Sequence, residues 1–109
     1  MRVWGLKNCD TCRKAVQTLS KAGFDPVFID VRVDGLADAD LDQFLDQFSD
    51  TLLNRRSTTW RGLSASDQVG DPKDLVKRFP AVMKRPVIED DNGSLHLGWS
   101  SVTQSALGI

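Results

Sequence analysis

The chain has 109 residues, of which 40% are apolar, with 14 basic side chains against 15 acidic ones and a net charge of −1. That length holds one hydrophobic core, and a chain of this size hides roughly two-thirds of its unfolded surface without metal or disulfide staples. The even charge balance argues against an electrostatic nucleic-acid binder, and no apolar run approaches the roughly 20 residues of a membrane span.

Residues 2–6 (Arg-Val-Trp-Gly-Leu) read as a short strand, followed by a loop at Lys7-Asn8-Cys9. From Asp10 the pattern turns helical: Cys12, Ala15, Val16, Leu19 and Ala22 recur at three- and four-residue spacing, and Gly23 supplies a stop. Asp25-Pro26 breaks the chain, and residues 27–31 (Val-Phe-Ile-Asp-Val) look like a buried strand. This is a β-α-β unit with parallel strands and a right-handed crossover. Past Gly35, Leu41, Phe44, Leu45 and Phe48 give the apolar face of a second helix, with Asp38 or Asp40 as its cap. Residues 54–62 have no period and read as a polar loop. Asp71-Pro72 starts another helix, with Leu75, Val76 and Phe79 inward, and Pro80 interrupts it. Two runs, 86–89 and 95–98, flank an Asn92-Gly93 turn and predict a hairpin, and a last helix is expected from about Ser100 to Leu107, capped by Ser100 or Ser101. The order β-α-β, helical insert (about 34–82), β-β-α is that of a thioredoxin-like α/β domain over residues 1–109. It predicts a four-stranded mixed sheet with flanking helices.

The opening Met1-Arg2-Val3-Trp4 is unlike a signal peptide, so the expected compartment is the cytoplasm. There a cysteine pair three positions apart is no structural staple. Cys9 lies just before a helix, where unpaired backbone N–H groups and the positive end of the helix dipole favour thiolate over thiol. Lys7, Arg13 and Lys14 add positive charge, which Asp10 partly offsets. Cys12, about one turn on, has two readings: a resolving thiol that forms a disulfide with Cys9, or a small buried residue on the apolar helix face. A zinc half-site needs four ligands to close, and the sole histidine, His96, lies far along the chain, so no metal is expected.

Three segments carry a resemblance: residues 5–15 around Cys9-Asp10-Thr11-Cys12, residues 53–61 (Leu-Asn-Arg-Arg-Ser-Thr-Thr-Trp-Arg) and residues 84–88 (Lys-Arg-Pro-Val-Ile). Together with Val27–Val31 and Leu97-Gly98-Trp99, they resemble the arsenate reductase family in its wider sense, which includes the Spx-type regulators and, most similar here, the YffB-like group. The resemblance implies Cys9 as nucleophile, Arg85 beside it as the arginine before the proline, and Pro86 as a cis-proline facing the thiol. It also implies Arg55, in the middle segment, as a second substrate-binding arginine alongside Lys7 and Pro86. On the residues alone, Arg55, Arg56 and Arg61 equally suit a solvated loop. Glutaredoxin-coupled arsenate reductases carry a further arginine just after the last strand, where this chain has Gly98-Trp99-Ser100, and they lack the second cysteine. The implied activity is thiol–disulfide oxidoreduction with glutathione as co-substrate and no tightly bound cofactor. The expected partner is glutathione or a glutaredoxin- or thioredoxin-type protein, with no direct nucleic-acid or membrane binding. Two alternatives stand beside it: arsenate reduction, and a non-catalytic Spx-type redox switch binding RNA polymerase.

Overall fold

The computed structural model describes residues 1–109 and divides them into two compact units, residues 1–35 with 85–109, and residues 36–84. The first unit is a four-stranded mixed sheet with helices. Strand β1 (Arg2–Gly5) pairs in parallel with β2 (Val27–Asp30) and antiparallel with β3 (Val87–Glu89), which pairs antiparallel with β4 (Leu95–Leu97), in the order β2-β1-β3-β4. Helix α1 (Asp10–Lys21) buries Cys12, Ala15 and Leu19 at the predicted spacing. Its end is a Schellman turn: Phe24 N–H donates to Leu19 O (3.1 Å) and Gly23 N–H to Ser20 O (3.2 Å), with Gly23 at φ 93°. Val3 and Ile88, register partners across β1 and β3, share one core with Leu19 of α1 and Leu107, and Val16, Phe24, Phe28 and Trp99 pack against it.

Two expectations need correction in this unit. Residues 27–31 do not form a buried strand: β2 is a sheet edge, Val27 is 58% exposed, and only Asp30 and Val31 are buried. The β1 strand also stops at Gly5, before Leu6. The hairpin turn is held by Asp90, whose Oδ1 accepts from Asn92 N (2.9 Å) and Ser94 N (3.0 Å), with Gly93 at φ 84°. The last helix, Ser101–Ala106, is capped by the Ser100 hydroxyl, which accepts from Thr103 N.

The second unit, residues 36–84, is built of helices and helical turns joined by loops, with one isolated antiparallel bridge between Leu53 and Met83. Its first helix, α2 (Asp38–Phe48), has Ala37 as N-cap and no capping side chain, so neither Asp38 nor Asp40 caps it; both sit inside the first turn, where their charge favours the dipole. Residues 54–62 are not a plain loop. Ser57 caps a helical turn, α3 (Thr58–Arg61), by accepting from Trp60 N, and Trp60 is buried. A second unpredicted turn, α4 (Ala65–Gln68), is capped by Ser64. The expected helix α5 (Pro72–Arg78) starts with Asp71 as cap and buries Leu75 and Val76, and a 3₁₀ turn (Pro80–Val82) follows it. The periodic reading missed α3 and α4 because each is one turn long and buries at most one side chain.

Candidate active site

Cys9 occupies the N-cap of α1, in extended conformation, at the end of the loop that leaves β1. Its N–H donates to Leu6 O (3.1 Å), and its carbonyl accepts from Arg13 N (3.1 Å), the first bond of the helix. The loop is tied down from outside by Asp30, which the sequence pattern places inside the strand expected over residues 27–31. Asp30 is 3% exposed. Its carboxylate accepts from Lys7 N (2.9 Å), Arg32 N (2.8 Å) and Val33 N (3.0 Å). Burial opposes its ionisation, but the N–H groups of Lys7, Val33 and Arg32 and the Lys7 charge outweigh it, so the carboxyl stays below its ordinary pKa. The signal was present in the sequence: an acidic residue inside an otherwise apolar run.

The Cys9 thiol is half-buried, and its pKa lies below that of an ordinary thiol. Burial acts against this. The backbone N–H of Cys12, at the third helical position, the Cys12 side chain, and the hydrogen bond and charge of the Arg85 guanidinium all act for it and prevail. No side-chain hydrogen bond caps the helix in the ordinary sense; the N–H faces a sulfur, and its benefit comes with the thiolate. The cation that matters is therefore Arg85, from the far end of the chain, and not Lys7, Arg13 or Lys14. Arg13 is engaged by Asp10.

Cys12 is fully buried. Burial first, then the neighbouring Cys9 sulfur, push its thiol up to about 12, against the help of the Leu6 backbone and Arg85. It lies tight against the backbone of β1: a Cβ placed on Gly5 would collide with Cys12 Sγ and lie 3.1 Å from Cys12 Cβ and 3.3 Å from Phe28 Cε1. Glycine at position 5 is what lets α1 come this close. This was also unread in the sequence.

Arg85 is followed by a cis peptide bond to Pro86, whose carbonyl accepts from Gly98 N (2.8 Å). The sites predicted at Cys9, Cys12 and Arg85 thus converge in the first unit, with Pro86 next in the chain. Lys7 is exposed, and with Arg13, Val16, Gln17 and Phe28 it lines a groove of about 380 Å³. Arg55 belongs to the second unit, where it lies over the Trp60 ring (5.4 Å to the centroid) and 4.0 Å from Asp50, beside a cavity of about 490 Å³ lined also by Asn54, Arg56 and Lys84. His96 Nε2 pairs with Asp90 Oδ2 at 2.9 Å, and no three His, Cys, Asp or Glu side chains cluster as a metal site would need.

Residues 4–106 match the ArsC family. The chain belongs to that family. An uncharacterized protein of Haemophilus influenzae is 40% identical over 100 residues, covering 85% of this chain and 86% of its own. Among solved structures, a YffB protein superposes with a TM-score of 0.83 at 26% identity, over 96% of both chains. An arsenate reductase (ArsC) related protein from Brucella melitensis gives 0.73 at 34% identity, over 99% of this chain and 94% of its own. The fold is the mixed-sheet, thioredoxin-like one of these ArsC-family structures. After β4 this ArsC-family chain has no arginine: it turns at Gly98 (φ 81°) and packs Trp99 against the core of the first unit.

Proposed function

We propose that this ArsC-family protein is a thiol–disulfide oxidoreductase in which Cys9 is the nucleophile and glutathione the electron donor. The observation that carries the reading is the half-buried Cys9 sulfur, favoured as thiolate by the Cys12 N–H and the Arg85 guanidinium together. The Cys9 thiolate attacks one sulfur of a disulfide; a Cys9 mixed disulfide forms, and the other half leaves as a thiolate that takes a proton from solvent. A glutathione thiolate then attacks the mixed disulfide. Where the bound half is itself glutathione, the products are oxidised glutathione and free Cys9, so one free glutathione is consumed for each glutathione mixed disulfide reduced to its thiol.

Cys12 is the slower resolving group. With its thiol at about 12, the thiolate is roughly one part in 10⁵ at pH 7. The part of that rise owed to Cys9 disappears once Cys9 is in a mixed disulfide, but burial, the larger cause, stays. Arg85 holds the leaving or bound half through its planar fork if that half carries a carboxylate. The compartment that suits this chemistry is a reducing one, such as the cytoplasm, which keeps both thiols free. No helix of the protein is long and apolar enough to cross a membrane.

Arsenate reduction is the second reading, favoured by the family match and by an arginine fork beside a thiolate. It would have Cys9 attack arsenic with loss of water. One assay separates the two: purified protein with glutathione and bis(2-hydroxyethyl) disulfide, run beside arsenate with glutathione and glutaredoxin. The expected result is disulfide turnover that Cys9→Ser abolishes and Cys12→Ala largely retains. Arsenate turnover without disulfide turnover would overturn the first reading. Turnover of neither, with reversible Cys9–Cys12 oxidation, would leave the redox-switch function.

A further inference from the structure

The groove lined by Lys7, Arg13, Val16, Gln17 and Phe28 is not needed by the chemistry at Cys9, yet it lies beside it. Lys7 is two residues before Cys9, Arg13 N–H donates to the Cys9 carbonyl (3.1 Å), and Phe28 borders the point where Gly5 meets Cys12. Val16 and Phe28 give the groove apolar surface, Lys7, Arg13 and Gln17 add two cations and one amide, and no acidic side chain lines it. At about 380 Å³ it has the size of a small-molecule site and not of a protein footprint.

We propose that this groove seats the carboxylate-bearing end of a small peptide thiol while its sulfur is at Cys9. The proposal rests on the oxidoreductase reading and names which part of the substrate is recognised. Glutathione has two ends. The γ-glutamyl end carries an ammonium beside its carboxylate, which Lys7 and Arg13 would repel. The glycyl end is a carboxylate alone, preceded by an amide that Gln17 can pair with and a short methylene stem that suits the apolar lining of Val16 and Phe28. The glycyl end is therefore the one that fits. The Arg13 guanidinium is shared with Asp10 and the Lys7 charge also acts on the buried Asp30, so both cations keep part of their charge for a ligand.

The test uses binding, so that it stands apart from turnover. Reduced, ¹⁵N-labelled full-length protein is titrated with S-methylglutathione, which has no reactive thiol, and with its glycyl ethyl ester. The amides of Lys7, Arg13, Val16, Gln17 and Phe28 should shift, and the ester should bind about fivefold more weakly, the upper reach of an exposed ion pair. Lys7→Gln should weaken the acid by a similar factor and remove the difference between acid and ester. Equal binding of acid and ester, or shifts confined to other residues, would overturn the groove assignment. If disulfide turnover persists in that case, the groove alone is wrong. If binding follows the expected pattern while no disulfide is turned over, the groove stands and the oxidoreductase reading falls.

Discussion

Replacing Gly5 by alanine puts one methyl group where there is no room for it. Its carbon would overlap Cys12 Sγ and stand 3.1 Å from Cys12 Cβ and 3.3 Å from Phe28 Cε1. Cys12 has no exposed surface and sits on a helix whose other buried residues, Ala15 and Leu19, hold it to the sheet. It has nowhere to retreat. Overpacking of this kind costs about 1–3 kcal/mol, and the severity of the sulfur contact puts Gly5→Ala near 3. For a domain of this size that lowers the melting temperature by roughly 10–20 °C. Cys12→Ala alone removes the sulfur and leaves a small void, at a cost of about 1–2 kcal/mol. In the double variant the new methyl occupies the space the sulfur left, so the total should fall short of the sum by about 2 kcal/mol. Urea unfolding of the four proteins under reducing conditions measures all the terms. Costs that add to within about 0.5 kcal/mol would refute the claim that Gly5 exists to admit Cys12.

Arg85→Met should move the pH profile of Cys9 alkylation to higher pH, because it removes both the hydrogen bond and the charge that favour the thiolate, with Arg85→Lys intermediate; an unmoved profile would leave the N–H and side chain of Cys12 as the causes. Mild peroxide should give a Cys9–Cys12 disulfide, read by mass spectrometry as the loss of two hydrogens, whereas accumulation of sulfinic acid at Cys9 with Cys12 free would make Cys12 a packing residue only. Asp30→Asn should destabilise the protein by about 2 kcal/mol at pH 7, since a charged acceptor of three backbone N–H groups is lost. Because the folded pKa of Asp30 is lowered, its contribution is complete above the ordinary carboxylate value of about 4 and is lost as pH falls through the folded value; denaturation curves of the two proteins should converge in acid, and a gap that persists there would contradict the linkage.

Much of the fold could be read from periodicity and breakers. The β-α-β start, the hairpin around Asn92-Gly93 and the helix opened by Asp71-Pro72 are local patterns with local causes, and the structure has each of them. What escaped depended on contacts distant in sequence. That residues 27–31 form an edge was invisible because strand order is not encoded in a strand's own pattern. Asp30 read as an ordinary residue of that strand because its three N–H donors come from a loop 23 residues earlier and from the turn that follows it. For Cys9 the sequence supplied its place at the helix terminus, which the structure has. The adjacent basic residues suggested the wrong cations: side chains close in sequence splay to solvent, and Arg85, 76 positions away, is brought in by β3 pairing with β1. Only the family resemblance had pointed to Arg85. Gly5 passed as an ordinary strand residue because the need for it arises from the helix packed on it.

The central claim is that Cys9 is the activated nucleophile and Cys12 the shielded thiol, and site-resolved alkylation of the reduced protein across pH tests it most directly. Iodoacetamide labelling from pH 5 to 10, with peptide mapping of each cysteine, should show Cys9 reacting with an inflection below the ordinary thiol value while Cys12 remains unlabelled until the protein unfolds. Labelling of Cys12 before Cys9, or a Cys9 inflection at or above that of a free thiol, would contradict the account.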